Sequence, residues 1–229
     1  MQLTKETGIR FISHLEYAHT LERALCRAKL PVAYSEGFNP HMKFSLASAL
    51  GVGVASQAEF AEVELAVPEL DVQQAQEAIA QNLPWGIQIK AVDLVESTAN
   101  KLMASAAGAS YEVIVPCHRQ QESVLAAYNK AESVIYKKPL PKKKGQFKTV
   151  EVKSFVPSIK GVFLVSHVTL TFDILITATG SMKAVEVLQI LQEQFGLDID
   201  LPEADIRRIN IYRLDKKGRK LPMLSANNH

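Results

Sequence analysis

The sequence predicts an α+β fold of tandem ferredoxin-like units, β-α-β-β-α-β twice, with antiparallel sheets and helices on one face. Three observations predict it. Two capped amphipathic helices alternate with short strands before residue 96, the same order recurs after residue 111, and the apolar pattern switches repeatedly between periods of two and 3.6. A chain of 229 residues that is 47% apolar can give each unit its own core. The expected division is a first domain over 1–96, a linker over 97–110, a second domain over 111–215 and a basic, flexible tail over 216–229.

Gly8 to Ile12 reads as the first strand, with Ile9 and Phe11 on one face and Arg10 on the other. Ser13 followed by Glu16 is a capping box, and Leu15, Ala18, Leu21, Leu25 and Ala28 form the stripe of a helix that stops at Pro31. Glu59 to Val67 alternates as a half-buried strand. Asp71 caps a second helix with the stripe Val72, Ala75, Ile79 and Leu83, and Gly86 to Val95 closes the first unit. Residues 97–110 are small and weakly patterned, with room for one helical turn. The second unit opens with a strand from Tyr111 to Val115 and a helix from about Arg119 to Ala131. A strand or hairpin from Val134 to Val156 follows, interrupted by a lysine loop. In the strand from Ser166 to Thr177, Val168, Leu170, Phe172, Ile174 and Ile176 point inward. A helix opened by Gly180-Ser181 ends at Gly196, and Ile206 to Leu214 is the last strand.

Polar punctuation concentrates between Tyr34 and Ser56. Gly37, Asn39 and Pro40 make a specific turn, Lys43 and Ser45 follow it, and Gly51 and Gly53 flank Val52. Backbone N–H groups in such a run can converge on an anion, with Lys43 as the fixed charge. The same residues also suit a structured hairpin loop, and both readings stand. Tyr34 and Phe38 can stack on a base or pin the turn to the core. Arg10 offers either an anion contact or a partner for a neighbouring glutamate. His14, in the first turn of a helix, is held neutral by the dipole and reads as a structural histidine or a weak catalytic candidate.

Charge is unevenly spread. Residues 1–105 hold 8 Lys and Arg against 12 Asp and Glu, whereas 110–229 hold 18 against 12. Lys142, Lys143, Lys144 and Lys148, with Arg207 and Arg208, are the electrostatic candidates for nucleic-acid contact, against the plainer reading of solvated loops. Cys26 and Cys117 are the only cysteines, and His14 and His19 do not share a helix face, so no iron–sulfur cluster, metal or other cofactor is expected. The sequence has no membrane-length apolar run and no signal-peptide pattern, so a cytoplasmic protein away from membranes is expected.

The segments RFISHLEY, YSEGFNP with Lys43 and Ser45, SALGVG and KLMASAAGASYEV resemble the radical SAM-linked protein family, a domain of unknown function fused to or encoded beside radical SAM enzymes. The resemblance runs from about Gly8 to Tyr111 and implies a stand-alone form whose partner is a separate radical SAM iron–sulfur enzyme. It carries no catalytic assignment. Three functions follow as expectations: an accessory module holding an anionic substrate such as tRNA or rRNA; a metal-independent endoribonuclease, since tandem ferredoxin-like units also resemble CRISPR RNA-processing enzymes; or a protein-interaction subunit without nucleic acid. No catalytic motif is present, so a non-enzyme is the favoured expectation.

Overall fold

The computed structural model describes residues 1–96, 101–139 and 145–224. The chain runs β1 (Gln2–Lys5), α1 (His14–Arg27), β2 (Phe44–Leu46), β3 (Val54–Val63), α2 (Val72–Asn82), β4 (Ile89–Ala91), α3 (Leu102–Ser105) and β5 (Gly108–Pro116). It continues through α4 (Glu122–Lys130), β6 (Ile135–Pro139), β7 (Phe147–Glu151), β8 (Ile159–Phe163), β9 (His167–Leu175), α5 (Ala184–Phe195), β10 (Asp205–Leu214) and β11 (Lys220–Pro222). The protein is a mixed α+β structure of two compact units, Met1–Ala107 with the chain from Arg208 onward, and Gly108–Arg207. The return of the C-terminal stretch to the first unit departs from the contiguous division expected from sequence. Lys220–Pro222, in the stretch expected to be a flexible tail, pairs as β11 with β10.

In the first unit the strand order is β4-β1-β3-β10, with β2 also on β3 and β11 on β10. The first strand is Gln2–Lys5, not Gly8–Ile12, and residues 7–9 form a 3₁₀ turn. Leu3 decides this. It enters a core with Tyr17, Leu21, Leu46, Ala61 and Ile87, which Ile9 and Ile12 border without being fully buried. Helix α1 begins at the expected capping box, where the Glu16 N–H donates to Ser13 Oγ at 3.2 Å and the Ser13 N–H donates to Glu16 Oε2 at 2.7 Å. Its buried stripe is Tyr17, Leu21, Ala24 and Leu25, rotated from the expected one, so Leu15 lies outside. Strand β3 starts earlier than expected, at Val54, because the chain reverses at Gly53, whose φ of +83° suits glycine. Asp71 caps α2 as anticipated, with the Gln74 N–H donating to its Oδ1 at 3.0 Å, and Ala75 and Ile79 are the buried pair of that helix.

In the second unit β5 pairs with β9 from Gly108↔Leu175 to Pro116↔His167, and β8 pairs with the other edge of β9. Val168, Leu170, Phe172 and Ile174 are buried, which bears out the expected register, and Tyr111 stacks on Phe172 with ring centres 6.0 Å apart. Strand β8 was not legible in the sequence. Gly161 interrupts its pattern because α4 lies directly on it: a Cβ there would sit 2.4 Å from Leu125 Cδ1. Strands β6 and β7 form a separate two-stranded ribbon.

Candidate functional site

The first unit buries three charged side chains together. Lys5, Glu59 and Arg208 are each 1% exposed. Such groups are rarely buried unless paired, because their desolvation costs several kcal/mol per ion. Arg208 Nη1 donates to Glu59 Oε1 at 3.0 Å and Oε2 at 3.2 Å, and its Nη2 donates to the Ala49 carbonyl at 2.6 Å, which ties down the loop before Gly51. Lys5 Nζ donates to the carbonyls of Arg10 and Ile12, each at 2.9 Å. The Gly53 N–H donates to the same Arg10 carbonyl at 2.9 Å.

These bonds fix the carbonyls on either side of residue 11, and Phe11 is turned out to solvent, 67% exposed. The Arg10 guanidinium lies 5.0 Å from its ring centre. Gly8 rests against the Trp85 ring, where a Cβ would come within 2.1 Å of Cη2, and Trp85 is itself exposed. Phe11, expected on a buried strand face, is thus held outward beside the Arg10 cation. Leu15, also 67% exposed, belongs to the same helix start. Trp85, Lys5 and Glu59 escaped the sequence reading. A charge in the buried phase of a strand was the available signal, Arg208 standing two residues after Ile206.

His14 opens α1 half-buried, and its Nδ1 is buried without a hydrogen-bond partner among the described residues. Burial lowers its pKa, with the Arg208 and Lys5 charges adding to the drop and Glu59 opposing it. The folded pKa therefore lies below the ordinary value of about 6.5, and the unfolded chain takes up the proton first. Stability from the neutral imidazole is present above about pH 6.5 and is lost as pH falls through the folded pKa. His14→Asn is expected to flatten the fall in melting temperature between pH 7.5 and 5.5. An unchanged slope in that variant would locate the titration elsewhere.

The other expected site residues divide into an exposed turn and side chains paired within the fold. Gly37 has a φ of +118° in an exposed turn with Asn39, and Phe38 at its tip has no packing role, being fully exposed. Lys43 Nζ lies 2.7 Å from Glu64 Oε1, an exposed pair. Ser45 Oγ donates to Glu62 Oε1 at 2.9 Å. Tyr34 Oη lies 3.7 Å from Cys26 Sγ. The Gly53 N–H, expected to offer itself to an anion, is spent on Arg10 as described. Arg208 presents no charge at the surface, because Glu59 and Ala49 hold it inside, and Arg207 Nη2 pairs with Asp205 Oδ2 at 2.6 Å.

In the second unit the β6–β7 ribbon carries Lys137 and Lys148 exposed, beside exposed Ile135 and Phe147. Lys138 instead anchors the ribbon to α5, its Nζ 3.0 Å from Glu186. Lys142, Lys143 and Lys144 lie outside the described residues. No cluster of three or more His, Cys, Asp or Glu among the described residues is placed to hold a metal, and no helix among them is long and apolar enough to cross a membrane.

The architecture defines a two-unit α+β protein whose first unit buries an ionic network of Lys5, Glu59 and Arg208. The chain belongs to the family described as "Uncharacterized protein conserved in bacteria (DUF2344)", whose model matches residues 1–192. No curated protein matches it. The solved "Crystal Structure of a Cbf5-Nop10-Gar1 Complex" contains a chain that aligns with 94% of this one at 12% identity and a TM-score of 0.49. The alignment spans 50% of that chain.

Proposed function

We propose that the chain is a cytoplasmic accessory module that holds an anionic, RNA-like substrate, tRNA or rRNA, for a separate radical SAM iron–sulfur enzyme. The enzyme partner is taken from the family resemblance of RFISHLEY and YSEGFNP. One observation carries the RNA reading: a buried lysine is used to hold Phe11 in solvent, where Arg10 neighbours it. A fold gains nothing from exposing that ring, whereas a base gains a stacking platform with a cation beside it. The Lys137 and Lys148 ribbon adds sequence-independent attraction to phosphates, with Lys142, Lys143 and Lys144 contributing charge. The element order β-α-β-β-α-β and the β4-β1-β3-β2 adjacency of the first unit support a ferredoxin-like reading of that unit.

The experiment is a titration of tRNA and rRNA fragments at several salt concentrations. The parent chain binds with a negative salt slope, and replacing Lys137 and Lys148 together by Ala makes the slope of log K shallower by about 1.4 to 1.8. Absence of binding at low salt would leave the protein-interaction reading in its place. The buried Nδ1 of His14, without a hydrogen-bond partner among the described residues, favours a second reading, a ribonuclease with neutral His14 as general base. Cleavage of the same RNA in EDTA, abolished by His14→Gln, is its signature. Intact RNA after prolonged incubation rejects it.

A further inference from the structure

We propose that the first unit also holds a binding site for a small amphipathic carboxylate, separate from the Phe11 surface. A cavity of about 340 Å³ lies among β3, α2, α3 and the segment after β4. Its apolar wall includes Ala61 of β3, Ala75 and Ile79 of α2, and Met223, all buried. Leu94 and Val95, which also line it, are 46% and 66% exposed and form its mouth. Protein interiors are close-packed, so an apolar space of this size is built for an occupant of about a dozen non-hydrogen atoms.

The charged side chains on the wall are Glu62, Asp93 and Arg213. Glu62 is committed: Oε1 accepts from Ser45 Oγ at 2.9 Å and Oε2 from the Leu102 N–H at 2.8 Å. Both Glu62 and Asp93 also act on the Met1 amino group. Arg213 differs. Its Nε donates to the Pro222 carbonyl at 2.9 Å, which fixes the guanidinium plane and leaves the Nη edge for a ligand. A planar guanidinium edge at an apolar cavity matches a carboxylate in two parallel hydrogen bonds. The two acids repel a carboxylate from the rest of the wall, so an apolar acid has one orientation, head on Arg213 and chain among Ala75, Ile79 and Met223.

Calorimetric titration with decanoate, decanol and decylamine below their aggregation limits tests this. The parent chain binds one decanoate at least tenfold more tightly than either other probe, since a charged hydrogen-bonded pair is typically worth a factor of about ten or more. Arg213→Leu brings decanoate down to the level of decanol. Ala75→Phe fills the cavity and removes binding of both, and Val63→Phe, at a half-buried lining position, does the same should Ala75→Phe fail to fold. RNA binding is unchanged in the filled variants, which separates this site from the Phe11 surface. Equal binding of all three probes, no saturable binding by the parent, or full decanoate binding by a folded, filled variant overturns the proposal.

Discussion

Glu59→Gln is expected to destabilise the first unit by about 3 to 5 kcal/mol, the usual result of leaving one member of a buried ion pair without its partner. Arg208 is 1% exposed, with Glu59 accepting from its Nη1 and the Ala49 carbonyl from its Nη2. With the carboxylate gone, a full positive charge stays in a site closed to water, next to the ammonium of Lys5. Removing both charges is milder. Glu59→Met with Arg208→Met replaces the pair by apolar volume, and such exchanges are often close to neutral. Denaturant unfolding of the single and double variants measures the difference, and equal losses in the two would show that the carboxylate serves only to fill space.

Phe11→Ala is expected to weaken RNA binding by about 5- to 150-fold, the range of a lost stack worth roughly 1 to 3 kcal/mol per base. The ring is two-thirds solvent, so its truncation leaves stability within about 0.5 kcal/mol of the parent. Lys5→Met separates presentation from contact. It takes the Lys5 donor from the Ile12 carbonyl and leaves the Arg10 carbonyl with the Gly53 N–H alone, at about 1 to 3 kcal/mol for a carbonyl that stays buried and unsatisfied, and it lets Phe11 leave its position. Binding falls in both variants. Only Lys5→Met also melts early.

The parts of this protein with regular local signals were legible in the sequence. Ser13 and Glu16 announced the start of α1, Asp71 that of α2, and the alternation at Val168, Leu170, Phe172 and Ile174 fixed the inward face of β9. Failures came where tertiary contacts overrode pattern. Phe11 and Leu15 match a core periodicity, yet Tyr17 takes the core position beside the expected Leu21, and the buried Lys5 spends its donors on the bend before α1. Strand β8 was hidden because Gly161 makes room for Leu125. The network itself was the least legible feature. Lys5, Glu59 and Arg208 are far apart in sequence, and residue type alone assigns each to solvent. The Tyr34 to Ser56 stretch carries the turn that its glycines and Asn39 announced, but its polar side chains are met by carboxylates at the end of β3: Lys43 by Glu64 and Ser45 by Glu62.

Fluorescence anisotropy with labelled tRNA, parent against Phe11→Ala at 50 and 200 mM salt, tests most directly whether the first unit presents its aromatic surface to RNA. The account predicts salt-dependent binding by the parent and weaker binding by Phe11→Ala at both concentrations with the same salt slope, because a stack is lost and no charge is. Equal affinities for the two proteins, with both fully folded, would contradict it.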